Sequence, residues 1–187
     1  LGDGVLIYFG YPTAHEDDTQ RAIRCGLDIL SELENLNSLQ KQYKKAIEAY
    51  KKAVVSSDDL EDVYTNIAFE YENLGDYNKA IYYLEKVLKY NPDNEPSIYE
   101  ISFCFEINNA TEKGIEFFTR FLDKHPYSKS AWFNLGVFYN NLDLYEKAIE
   151  CYDYAIAIDE SFTSAYFNKA NAYYNLEYYR KAIEVYE

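Results

Sequence analysis

The 187-residue sequence predicts an all-α solenoid of stacked antiparallel helix pairs, preceded by a short strand, loop and helix. Three observations predict it. The hexapeptide Tyr43-Lys44-Lys45-Ala46-Ile47-Glu48 returns from Tyr77, Thr111, Tyr145 and Tyr179, a step of 34 residues each time, with Lys always third and Ile always fifth. Apolar residues within each period recur at helical spacing. Only seven Gly and four Pro are present, too few for the turns of a sheet-rich fold.

Each full period opens with one helix. Its apolar marks are Tyr64, Ile67, Ala68 and Tyr71, then Ile98, Ile101, Ser102 and Phe105, then Trp132, Leu135, Gly136 and Tyr139. Spacings of three, four and seven put each set on one helical face. The second helix carries Ala80, Leu84 and Val87 in one period and Ala148, Tyr152 and Ala155 in another. Small residues recur where the paired helices must approach closely: Ala68, Ser102, Gly136 and Ala170 on first helices, Ala46, Ala80, Gly114, Ala148 and Ala182 on second ones.

Asn91-Pro92 and His125-Pro126 are expected to stop second helices, because proline lacks a donor and disfavours helix in its predecessor. Leu74-Gly75-Asp76 is expected to turn a first helix into a second, with Gly75 left-handed. The third unit departs from the pattern through Asn108-Asn109-Ala110, Thr111 and Gly114, and is predicted to be the softest. Lys169 stands where Ile or Leu belongs and is expected to snorkel. The repeated Lys45, Lys79, Lys113, Lys147 and Lys181 read as exposed decoration, paired where possible with Glu48, Glu116, Glu150 and Glu184.

The period and these marks resemble the tetratricopeptide (TPR) repeat. The resemblance implies a right-handed superhelix over 37–187: a partial repeat at 37–60, full repeats at 61–94, 95–128 and 129–162, and a truncated one at 163–187. In that family the first helices line a concave groove. The matching positions here include Asn66, Phe69, Tyr99, Phe103, Phe133, Asn134, Phe167, Asn168 and Asn171, with Thr65, Glu100 and Val137 beside them. Asn amides both donate to and accept from a ligand backbone, and aromatic rings supply contact area at little entropy cost. The family's clamp for a C-terminal carboxylate uses Lys and Arg at such positions. This chain has none there and has Glu100 instead, so that specialisation is not expected.

Residues 1–36 fall outside the repeat. Val5 to Phe9 reads as a strand, Thr13 to Asp18 as a polar loop, and Thr19 to about Leu36 as a helix. Leu1-Gly2-Asp3-Gly4, Tyr8-Phe9-Gly10-Tyr11-Pro12, His15-Glu16-Asp17-Asp18 and Arg21-Ala22 resemble a fragment of a class III adenylate/guanylate cyclase domain. That resemblance makes Asp3 the equivalent of one metal-binding carboxylate, but one carboxylate is not an active site, and Asp3 is read as vestigial. The helix of this segment is expected to stand in for the missing first helix of the partial repeat, with Leu30 and Leu33 facing Ala46 and Tyr50.

A formal net charge of −14 disfavours nucleic acid and anionic membranes as partners. Cys25, Cys104 and Cys151 are dispersed and odd in number, which fits reduced thiols in the cytoplasm. His15 and His125 have no ligand-spaced companions, so neither a metal, a cofactor nor a catalytic set is expected. The function expected from these readings is a non-enzymatic scaffold binding a protein or peptide segment. The alternatives are a regulatory fragment of a nucleotide cyclase and a self-association module. The last would use the truncated C-terminal helix, where Ala182, Ile183 and Tyr186 lack a following repeat to cover them, as a homodimer contact.

Overall fold

A computed structural model describes residues 18–55, 57 and 59–186. Among them there are nine helices and no strand: α1 Asp18–Ala53, α2 Leu60–Asn73, α3 Tyr77–Tyr90, α4 Glu95–Ile107, α5 Thr111–Leu122, α6 Lys129–Asn141, α7 Tyr145–Ile158, α8 Thr163–Asn175 and α9 Tyr179–Tyr186. The expected strand at Val5 to Phe9 and the cyclase-type Asp3 lie outside the described residues. The chain divides into two compact units, the first ending at Lys45 and the second running Ala46–Glu187.

The first helix corrects one expectation. The helix predicted to stop near Leu36 continues to Ala53. No Gly or Pro occurs between Leu27 and Ala53, so nothing in the sequence ends it. No helix end therefore falls near Leu36 to separate a first helix from a second in the partial repeat.

In the second unit the predicted stripes form a buried core. Ile67, Ala68, Ala80, Leu84, Val87, Ile98, Ile101, Phe118, Leu135 and Phe138 are all buried within one cluster, and Ala148, Tyr152, Ala155 and Ala165 within another. First helices α2, α4, α6 and α8 alternate with second helices α3, α5, α7 and α9.

The turn inside each pair is the same throughout. Gly75 has φ 72°, and the residues one, two and three periods on, Asn109, Asp143 and Glu177, have φ 49°, 58° and 62°. Each closes the helix with a pair of backbone bonds. The N–H of Asp76, Ala110, Leu144 and Tyr178 donates to the carbonyl of Tyr71, Phe105, Tyr139 and Tyr173, at 2.9, 2.9, 3.0 and 2.9 Å. Asn108-Asn109-Ala110 therefore makes the same turn as Leu74-Gly75-Asp76, because Asn tolerates the left-handed region. Gly114 is also accounted for by packing: a Cβ there would stand 2.7 Å from Cζ of Phe138.

Three of the repeated lysines are corrected too. The Nζ of Lys79 lies 5.2 Å from the ring centre of Tyr71, Lys147 lies 5.3 Å from Tyr139, and Lys181 lies 5.4 Å from Tyr173. Each lysine thus covers the tyrosine that ends the first helix of its own pair. Lys79 also meets Asp76 at 2.6 Å. Lys147 makes no ion pair with Glu150; a ring face, not a carboxylate, receives it. Lys169 ends on Asp153 at 2.5 Å with most of its side chain covered.

Candidate peptide-binding groove

Helices α2, α4, α6 and α8 repeat three side-chain positions at i, i+1 and i+4, which share one helical face. They are Thr65, Asn66 and Phe69; Tyr99, Glu100 and Phe103; Phe133, Asn134 and Val137; Phe167, Asn168 and Asn171. Phe69, Phe103 and Phe167 are 59%, 45% and 55% exposed, large values for Phe. Tyr99 and Phe133 are half-buried and meet edge to face at 6.3 Å. Phe133 also packs on Phe162 at 5.2 Å and Tyr152 at 5.9 Å, so it joins the core between neighbouring helices.

The asparagines behave alike. Nδ2 of Asn66, Asn134 and Asn168 donates to the carbonyl four residues earlier, Asp62, Ser130 and Ser164, at 2.8, 2.7 and 2.9 Å. One amide hydrogen is thereby used to orient the group, while Oδ1 and the second hydrogen stay available wherever solvent reaches. Solvent reaches Asn66, Asn168 and the half-buried Asn171; Asn134 is only 4% exposed and belongs to the packed wall.

Glu100 occupies the asparagine position of the third repeat, and it faces Glu72 of α2. Burial pushes the Glu72 carboxyl up to about 7, helped by a hydrogen bond with Glu100 and by its charge. The Cys104 thiol donates to Glu72 Oε1 at 3.7 Å, and burial together with these carboxylates raises its pKa well above the usual thiol range. The face is therefore acidic, and the Glu72 carboxyl takes up its proton near neutral pH. Sequence reasoning missed Glu72 and Cys104. Glu72 is three residues beyond Phe69, and helical spacing alone could have placed it on the same face.

The fold defines a class of protein. The family model described as Tetratricopeptide repeat matches residues 61–94 and 130–162, and a second model with that description matches 163–187. The chain is a tetratricopeptide-repeat protein. No curated protein matches its sequence. Among solved structures, a crystal structure of the MamA protein is similar at 21% identity and TM-score 0.58, covering 85% of this chain and 87% of that one. MamA from Desulfovibrio magneticus RS-1 is similar at 17% identity and TM-score 0.58, covering 82% and 90%. YrrB, described as a TPR protein with an unusual peptide-binding site, is similar at 19% identity and TM-score 0.54, covering 84% and 78%. Among the described residues, no helix is long and apolar enough to cross a membrane.

Proposed function

We propose that the chain is a non-catalytic scaffold that holds an extended or helical segment of a partner protein along the face of α2, α4, α6 and α8. One observation carries the reading: Phe69 and Phe103, at one repeat position, and Phe167, at the neighbouring position of the same face, are all exposed, with oriented amides between them. Phe69, Phe103 and Phe167 are the apolar anchors. Asn66, Asn168 and Asn171 are the groups that meet the ligand backbone, and Tyr99 and Phe133 form the wall between them. Asn134 supports that wall. With Glu72 and Glu100 on the same face, a segment carrying Lys or Arg is favoured over a terminal carboxylate. YrrB, of the same fold, is a TPR protein with a peptide-binding site, which is consistent with this use of the fold.

The test begins with peptides selected from a random display library on the immobilised chain. Their affinities are then measured for wild type, Phe103→Ser and Asn168→Ala. Losses of about tenfold for either variant are expected, since about 1.4 kcal/mol accompanies each decade. Undiminished binding by both variants refutes the groove.

A second reading, self-association through the last helix, is favoured by Tyr174, Tyr179 and Ile183, which are all exposed beside one another on α8 and α9. Concentration-dependent sedimentation tests it. A dimer weakened by Ile183→Glu but not by Lys181→Glu supports it, and a monomer at all concentrations ends it.

A further inference from the structure

A second candidate site lies between α3 and α5, and no residue of the four groove helices lines it. It is an open cavity of 530 Å³, within the size range of ligand sites. Its floor is apolar: Leu88 and Phe117 are buried, and Phe121 is half-buried beside Pro92. Its rim is basic, with Lys89, Arg120 and Lys124 all exposed, against one carboxylate, Glu85. The His125 ring packs on Phe121 at 4.7 Å and closes one end.

This concentration of cations is unusual for a chain of formal charge −14. Helix dipoles account for part of it, because Lys89 and Arg120 sit in the last turns of α3 and α5. They do not account for Lys124, which lies beyond α5. Nor do they explain why these cations are left over. Elsewhere in the repeats Lys51, Lys79, Lys86, Lys129, Lys147, Lys169 and Lys181 each cover a tyrosine or phenylalanine ring or meet a carboxylate, while Lys52 and Lys113 stand apart from this cavity. Lys89, Arg120 and Lys124 make no ion pair and no ring contact with any described residue.

We propose that this cavity docks a carboxylate-rich peptide segment of a partner protein. An apolar side chain of the segment seats on Phe117 and Phe121, while its Asp or Glu carboxylates meet Lys89, Arg120 and Lys124. The guanidinium of Arg120 can take a carboxylate through two parallel hydrogen bonds. The apolar floor selects a peptide over a bare anion, and the acidic remainder of the chain repels a nucleic-acid backbone. This site is independent of the groove on the first helices.

The probe is a fluorescein-labelled peptide, Glu-Asp-Leu-Glu-Phe-Asp-Glu, followed by fluorescence anisotropy at low ionic strength. Saturable binding is expected, weakening as salt is added. The double variant R120E/K124E is expected to lose about tenfold or more in affinity. Lys113→Glu, elsewhere on α5, and Asn168→Ala, in the groove, are expected to leave binding unchanged. Circular dichroism checks that each variant keeps its helices. Should the double variant lose helicity, Lys89→Glu on α3 replaces it and is expected to show the same loss. The proposal is overturned if wild type does not bind. It is equally overturned if a peptide with Lys at every acidic position binds as well, if Lys113→Glu weakens binding as much, or if phosphate or a DNA oligonucleotide displaces the probe as readily as unlabelled peptide.

Discussion

Gly136 leaves the space that the Tyr152 ring fills: a Cβ built on Gly136 would stand 2.6 Å from Cε1 and 2.9 Å from Cδ1 of Tyr152. Tyr152 is 0% exposed, so its ring has nowhere to retreat. A like exchange occurs between Gly114 of α5 and Phe138 of α6, here with the glycine on the second helix. A small residue on one helix and a large ring on its neighbour set how closely successive helices stack.

Gly136→Ala is therefore expected to destabilise the protein although Ala is the better helix former by about 1 kcal/mol. Overpacking of this kind costs about 1–3 kcal/mol. Adding Tyr152→Leu in the same chain should restore the loss. The Tyr152 hydroxyl is buried and finds no hydrogen-bond partner among the described residues, so Tyr152→Phe alone should be neutral or stabilising. Urea melts measure all three; a Gly136→Ala variant more stable than wild type contradicts the packing described.

The lysine series makes a second prediction. Lys147 covers Tyr139 at 5.3 Å. A double-mutant cycle of Lys147→Gln with Tyr139→Leu should give a coupling of about 0.5–1 kcal/mol. Glu150→Gln should change stability little. A coupling of zero, or one that appears with Glu150 instead, returns the lysines to surface decoration.

The left-handed turn residues give a third. Glu177, at φ 62°, holds a conformation that carries a steric cost for a residue with a Cβ. Glu177→Gly and Asp143→Gly should each stabilise by up to about 1 kcal/mol, while Gly75→Ala should destabilise by a similar amount. Thermal melts that show no difference among them would mean the turns relax freely.

Most of the fold was legible because the repeat makes each position appear several times. The Ala80, Leu84 and Val87 stripe, the Gly75 turn and the small residues at helix crossings were all readable as spacing. What resisted reading depends on side chains that meet across helices. Asn109 looked like a defect, yet its φ shows it doing the work of Gly75. Lys147 was matched to Glu150 because they are neighbours along one helix, and its true partner, Tyr139, lies on another. On the candidate groove, Asn134 carries the same sequence signal as Asn66 and Asn168, and only packing buries it. The extent of α1 past Leu36 went unread because a resemblance, and not a helix breaker, had supplied the boundary.

A fourth prediction follows from Glu72. Its folded pKa is raised from about 4.5 to about 7, so between those values the folded chain binds more protons than the unfolded one. Stability from this group is full below about 4.5 and is lost as pH rises through about 7. Glu72→Gln should flatten that decline and leave the protein more stable than wild type at pH 8. The size is modest, because the pair is partly solvated. Parallel pH profiles of unfolding in both proteins would contradict the raised Glu72 carboxyl.

The central claim is tested most directly by backbone amide chemical shifts of the labelled chain, recorded as a library-selected peptide is added. The account predicts that the largest changes cluster on α2, α4, α6 and α8, near Asn66, Phe69, Phe103, Asn168 and Asn171. Changes confined to α3 and α5, to α9, or absent at saturating peptide would contradict it.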